Sequence, residues 1–472
     1  MIRYGVATSA FQVEGAVAAD GRGPSTWDEF CTRPGAVLDG SDATVACDSY
    51  HRVDEDLALL AGLGVASYRF SVAWPRVQPD GRGALNAAGL AHYDGFVDRL
   101  LDKGITPLPT LFHWDLPLAL ERSGGWPARD TVPRFVDYAL AVTDRLADRV
   151  TTWATHNEPW CTAFLGHAAG VFAPGDRVPE HALAAAHHLL LSHALAADAV
   201  RAAHPHTEVG IVLNLAPVRC EPDGDPAAAD VVDALQNRLW LDALAGGSYP
   251  VPLVAARDGD LDRIRASADW LGINYYTPFR VGPAADGRAG VGQDVDAFPG
   301  APDFSFRPRP PLTTMGWEID PGGLEDVLRR VAGQLPGLPL RVTENGAAFA
   351  DTVVAEDGSV DDQDRVAYLR GHVEVVERLA AEGLPVTDYL AWSLLDNFEW
   401  AQGYTQRFGL VAVDPGTLRR VPKASYRWYA EHLRGRPASS ALEAAGEQSP
   451  DEEALERQED HHRDEDGHER PG

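Results

Sequence analysis

Two glutamates in this chain stand where a barrel or an open α/β sheet places its chemistry. Glu344 ends the short apolar run Pro339-Leu340-Arg341-Val342, and Asn345 and Gly346 follow at once. Glu158 follows a second β-type run, Thr151–His156, in the stretch Thr155-His156-Asn157-Glu158-Pro159. A carboxylate at the carboxyl end of a buried strand, just before a loop, is placed to meet a substrate. Two carboxyls facing one pocket are the minimum equipment for glycoside hydrolysis. One is ionised to attack the anomeric carbon and the other protonated to assist the leaving oxygen. Repulsion from the ionised partner raises the pKa of the second. Read alone, the two residues are equally a pair of capping or salt-bridged carboxylates.

Side chains near other predicted strand ends favour the first reading. Gln12, His113 and Asn157 offer neutral donors and acceptors suited to hydroxyls. Trp114, Trp392 and Trp400 offer flat apolar faces for the C–H side of a sugar ring, and Glu399 can accept from two hydroxyls. Singly, His113, Trp114 and Trp392 are compatible with plain core packing. Packing does not explain why all of them fall at predicted strand ends.

The elements that must position these groups alternate along the chain. Short β-type runs are expected at Tyr4–Ser9, Val65–Phe70, Ile105–Phe112, Thr151–His156, Glu208–Asn214, Trp270–Tyr275, Leu340–Glu344 and Tyr389–Leu394. Their apolar character is nearly continuous, as in parallel strands covered on both faces. Helix-like stretches such as Val53–Gly62, Leu90–Lys103 and Arg365–Glu382 lie between them, closed by Gly64, Gly104 and Gly383. Eight alternations predict a single-domain (β/α)8 TIM barrel over residues 1–436, with its site at the C-terminal face of the strands. Long segments at Gly15–Cys47 and Thr277–Pro311 fall where such a barrel carries active-site loops.

Composition narrows the function classes. A net charge of -29 over 472 residues argues against nucleic acid or an anionic membrane as partner. Cys31, Cys47, Cys161 and Cys220 are widely spaced, which suggests free thiols in a reducing compartment. No signal-peptide core and no run of membrane-spanning length is evident, so a cytoplasmic location is expected. Residues 437–472 change character, with twelve acids against three arginines leaving -9. That composition reads as a disordered acidic tail. Its His461, His462 and His468 offer at most weak metal binding, and no metal site or cofactor is expected.

Seven motifs, in order, give the chain a resemblance. They are Gly5-Val-Ala-Thr-Ser-Ala-Phe-Gln-Val-Glu-Gly15, Tyr68-Arg-Phe-Ser-Val-Ala-Trp-Pro-Arg76, Phe112-His-Trp-Asp-Leu-Pro117, Thr155-His-Asn-Glu-Pro159, Gly272-Ile-Asn-Tyr-Tyr276, Thr343-Glu-Asn-Gly346 and Trp392-Ser-Leu-Leu-Asp-Asn-Phe-Glu-Trp400. Together they resemble glycoside hydrolase family 1, the retaining β-glucosidases and β-glycosidases, across residues 4 to about 434. The resemblance implies Glu344 as nucleophile and Glu158 as general acid, then base. It implies Asn157 on the sugar 2-hydroxyl, with Gln12, His113, Glu399 and Trp400 on the 3-, 4- and 6-hydroxyl side. Trp392 would lie under the ring, and Trp114 is a further substrate-binding candidate. Arg69, Asn274 and Tyr276 would support the nucleophile, an Arg partner favouring the ionised carboxylate. Retention implies carboxyl groups about 5–5.5 Å apart.

Three departures stand out. Tyr4 occupies a place the family usually gives to Trp, and the chain begins almost inside its first strand. Either the true start lies upstream or the barrel floor is covered differently. His156 replaces a commoner apolar residue and is expected to be tolerated. The expected activity is exo-acting hydrolysis of terminal β-D-glucosyl residues from small β-glucosides or cello-oligosaccharides. Galacto- or fuco-directed hydrolysis and transglycosylation use the same residues and remain open, as does the oligomeric state. A 6-phospho-β-glycosidase would need a cationic clamp, but Glu399 stands there and the nearest cations are Arg407 and Lys423. A non-catalytic sugar-binding barrel would be marked by loss of either glutamate.

Overall fold

The structure is a computed structural model and describes residues 2–284, 292–352, 354–355 and 358–434. Eight parallel strands close into a barrel: β1 (Arg3–Ala7), β2 (Ser67–Ser71), β3 (Thr106–Phe112), β4 (Thr152–Asn157), β5 (Glu208–Asn214), β6 (Leu271–Asn274), β7 (Leu340–Asn345) and β8 (Val386–Trp392). Each strand pairs with its sequence neighbours, and β1 closes the ring against β8 with Arg3 opposite Asp388 and Ala7 opposite Trp392. The strands are buried almost end to end, which explains their apolar runs without strict alternation.

Helices cover the outside. The main ones are α1 (Val53–Leu63), α2 (Ala87–Asp102), α3 (Thr131–Leu146), α4 (Pro179–Ala203), α5 (Leu239–Gly246), α6 (Pro321–Gln334), α7 (Gln363–Ala381) and α8 (Ala424–Leu433). Gly64 caps α1 in the left-handed conformation (φ 76°), which glycine adopts without a Cβ clash. By length and composition α4 could cross a membrane, contrary to the expectation that no run would. Its Ala- and Leu-rich sequence serves the core instead, since 72% of its apolar window is buried against the protein.

The two residue substitutions, Tyr4 and His156, are absorbed locally. Tyr4 is buried, packs on Tyr389, Tyr429 and His432, and donates its hydroxyl to Glu377 Oε1 at 2.7 Å. His156 sits in an aromatic box of Phe112, Trp126 and Phe135, with Nε2 2.8 Å from Ser192 Oγ. Burial pushes its pKa well below the usual value, so the ring is neutral and packs like the apolar residue it replaces. The acidic tail and part of the Thr277–Pro311 segment lie outside the described residues. The four cysteines are free thiols.

One buried ion cluster ties the rim of the barrel together. Lys423, at the start of α8, donates to Asp351 (2.5 Å) in the loop after β7 and to Asp396 (2.7 Å) in the loop after β8. Arg365 of α7 joins through Asp351 and Asp362. Removing one partner of a buried ion pair leaves an uncompensated charge and costs about 3–5 kcal/mol. Lys423→Met is therefore expected to lower the unfolding free energy by that order, read as a fall in the guanidinium midpoint at unchanged m-value, and an unchanged midpoint would contradict the cluster's role.

Candidate active site

The two glutamates leave their strands at irregularities. The β4–β5 register shifts between Ala154 and Asn157, and the β7–β6 register between Val342 and Glu344. Such slips re-aim a side chain at the end of a ladder. Glu158 itself has φ 46°, and Trp114 and Trp400 have φ 77° and 50°. Backbone held in the left-handed region by non-glycine residues gathers at functional sites.

Both carboxylates face a cavity of about 130 Å³, shared with His113, Trp114, Asn157, Asn274, Tyr276, Trp392, Glu399 and Trp400. The side chains of these strand ends form a continuous hydrogen-bonded chain. Arg69 is buried and donates from Nη1 to Glu344 Oε1 (2.6 Å) and from Nη2 to Asn157 Oδ1 (2.7 Å). Asn274 Nδ2 donates to the same Asn157 oxygen (3.0 Å) and to Glu158 Oε1 (2.7 Å). Thr343 Oγ1 donates to Asn274 Oδ1 at 2.8 Å and so fixes which end of that amide meets Glu158. Tyr276 donates its hydroxyl to Glu344 Oε2 at 2.6 Å.

The two carboxyls therefore sit in opposite surroundings. Glu344 receives a guanidinium on Oε1 and a phenol on Oε2. Burial, then the charge of Glu344, pushes Glu158 up to about 8. Asn274 donates to Oε1 of Glu158 and so fixes the orientation of that carboxyl. A carboxyl raised by its environment beside a second carboxyl held by donors is the arrangement of an acid and a nucleophile.

The remaining wall is prepared for hydroxyls. His113 Nε2 accepts from Asn157 Nδ2 (3.0 Å), while its Nδ1 is buried without a protein partner. Burial and Arg69 push His113 well below the usual range, leaving a neutral ring. Asn157 keeps a second N–H for a ligand. Glu399 has one long contact, from Gln12 Nε2 at 3.4 Å, and burial followed by Glu344 and Glu158 pushes it up to about 8. Gln12 does not line the cavity. Its amide donates to Asn397 and to the Phe398 carbonyl, which places it behind Glu399 as a brace. Trp400 is wedged against Phe11, Trp27 and Trp114.

Several lining residues were not singled out from sequence. Cys161 Sγ donates to Glu158 Oε2 at 3.1 Å, one helical turn beyond the glutamate, and burial keeps the thiol protonated. The i, i+3 spacing in Glu158-Pro159-Trp160-Cys161 was a usable signal. Trp160, from the helical segment after β4, and Phe172, Met315 and Trp317, on irregular loops where no periodicity announces them, form an apolar outer wall.

Comparison with known proteins settles the family. The profile of glycosyl hydrolase family 1 matches residues 2–436. The chain belongs to glycosyl hydrolase family 1. It is 42% identical over 459 residues to a β-glucosidase of Agrobacterium sp., covering 94% of this chain and 96% of that protein. It is 45% identical over 449 residues to a bifunctional β-D-glucosidase/β-D-fucosidase of Bifidobacterium breve, covering 91% and 96%. The crystal structure of a psychrophilic β-glucosidase from Micrococcus antarcticus superposes with a TM-score of 0.86 at 42% identity, covering 91% and 96%.

Two substitutions probe this geometry. Tyr276→Phe removes a hydrogen bond to a charged group, worth about 1.5–3 kcal/mol. The expected loss in kcat/KM is roughly 10- to 150-fold, read by steady-state kinetics. Cys161→Val removes a donor that favours the ionised form of Glu158, without admitting water. The Glu158 pKa then rises, and the alkaline limb of the kcat/KM profile moves to higher pH. A limb that stays or moves down would show that the thiol does not tune the acid.

Proposed function

We propose that this protein is a retaining β-glucosidase that releases terminal β-D-glucosyl residues from small β-glucosides and cello-oligosaccharides. The observation that carries this reading is the opposed setting of the two carboxyls, Glu344 held by Arg69 and Tyr276, Glu158 raised by burial beside it. In the first step Glu344 attacks the anomeric carbon as Glu158 passes its proton to the glycosidic oxygen, and the aglycone leaves as an alcohol. In the second, Glu158 takes a proton from water, whose oxygen displaces Glu344 from the sugar. Two inversions leave the anomeric configuration unchanged. Asn157 and His113 supply the donors for ring hydroxyls, and Glu399 the acceptor.

The names of the relatives support glucoside over other substrates, and one of them extends to fucosides. Neutral sugars suit the site better than phosphorylated ones. Among the described residues lining the cavity there is no Lys or Arg, and Lys423 is committed to Asp351 and Asp396. A phosphate would also face Glu399. A cytoplasmic site of action accords with four free thiols.

Glu344→Ala is the decisive test. Hydrolysis of an aryl β-glucoside should fall by several orders of magnitude, and added azide should restore turnover with an α-glucosyl azide as product. Activity near wild type without azide, or a β-configured product, would overturn the double displacement.

A further inference from the structure

Outside the catalytic cavity, three side chains with metal-ligand chemistry converge at the rim. His167, Asp176 and His181 place one ligand atom each within 4.8 Å of the others. His167 Nδ1 lies 3.1 Å, and His181 Nδ1 3.3 Å, from Asp176 Oδ2. We propose that these three residues form a zinc site, a function separate from the glycosidase chemistry. Zn²⁺ takes imidazole nitrogen and carboxylate oxygen at about 2.0–2.2 Å in tetrahedral geometry. Ligand atoms around such an ion stand about 3.3–3.5 Å apart, so both separations are within a few tenths of an ångström of that spacing.

The donors are held before any ion arrives. The His167 side chain is only 1% exposed, and its Nε2 has no protein partner, so the ring is fastened through Nδ1 alone. Asp176 N donates to the Gly166 carbonyl (2.9 Å) and Val178 N to the His167 carbonyl (2.8 Å), closing the loop that presents the carboxylate. His181 projects from the first turn of α4. Asp176 and His181, at 39% and 49% exposure, leave the ion a route in and the fourth position open to water.

The ion would fasten a loop with a stake in the substrate cavity. Between His167 and Asp176 lies Phe172, which lines the cavity and packs on Trp27 and Trp114 at 5.4 Å. Zinc there would hold the Phe172 wall without touching either glutamate.

Isothermal titration of the full-length, EDTA-stripped protein with ZnCl₂ tests the assignment. Four proteins are compared: wild type, Asp176→Asn, His181→Ala, and a variant with His461, His462 and His468 all changed to Ala. Wild type and the tail variant should bind one Zn²⁺ per chain. Loss of a ligand should weaken binding at least as much as loss of an outer-shell partner, about 10–100-fold. Absence of saturable binding would overturn the site. So would wild-type affinity in both Asp176→Asn and His181→Ala, or loss of binding in the tail variant. Retained glucosidase activity and circular dichroism in the two rim variants confirm that they are folded.

Discussion

The Arg69 guanidinium is the interaction on which the site depends. It is buried, it meets one catalytic carboxylate directly, and it reaches the other through Asn157 and Asn274. A charge of this kind is tolerated in a core only when each donor finds an acceptor of fixed position. Its Nε donates to Thr110, so strands β2, β3, β4 and β7 are indexed to one planar group. The barrel supplies the rigidity this requires, because every strand is clamped on both sides. Rigid positioning of two carboxyls is what lets burial act on them unequally.

Much of this was legible in the sequence, and particular residues show why. The strand runs were readable because burial on both faces leaves a continuous apolar signal, and both glutamates follow such runs. Arg69 and Tyr276 were legible only through motif resemblance, since an arginine in an apolar strand carries no local mark of its partner 275 residues away. Gln12 shows the limit of residue type alone. Its amide donates to Asn397, the Phe398 carbonyl and Glu399, partners that hydrogen-bonding capacity alone does not name. Trp317 and Met315 were invisible for a different reason, lying on a loop whose path is set by tertiary packing.

The same contrast separates chemistry from selectivity. The acid, the nucleophile and their supports sit on strand ends, where backbone pairing limits movement. Of the outer wall, Trp160 belongs to the helical segment that follows β4, and Phe172, Met315 and Trp317 to loops and turns. Loops tolerate substitution and insertion better than the strands beneath them. Aglycone preference can therefore drift among relatives while the cleavage step stays fixed.

The rim cluster around Lys423 has a bearing on biosynthesis. The lysine that neutralises Asp351 and Asp396 lies at the start of the last described helix, and β1 finds its second neighbour only in β8. A chain emerging from the ribosome therefore carries both glutamates long before it can hold them in place. Its earliest strand must wait for residues 386–392, leaving an open edge throughout synthesis. The hydrolytic centre is thus assembled last, however early its acid is translated.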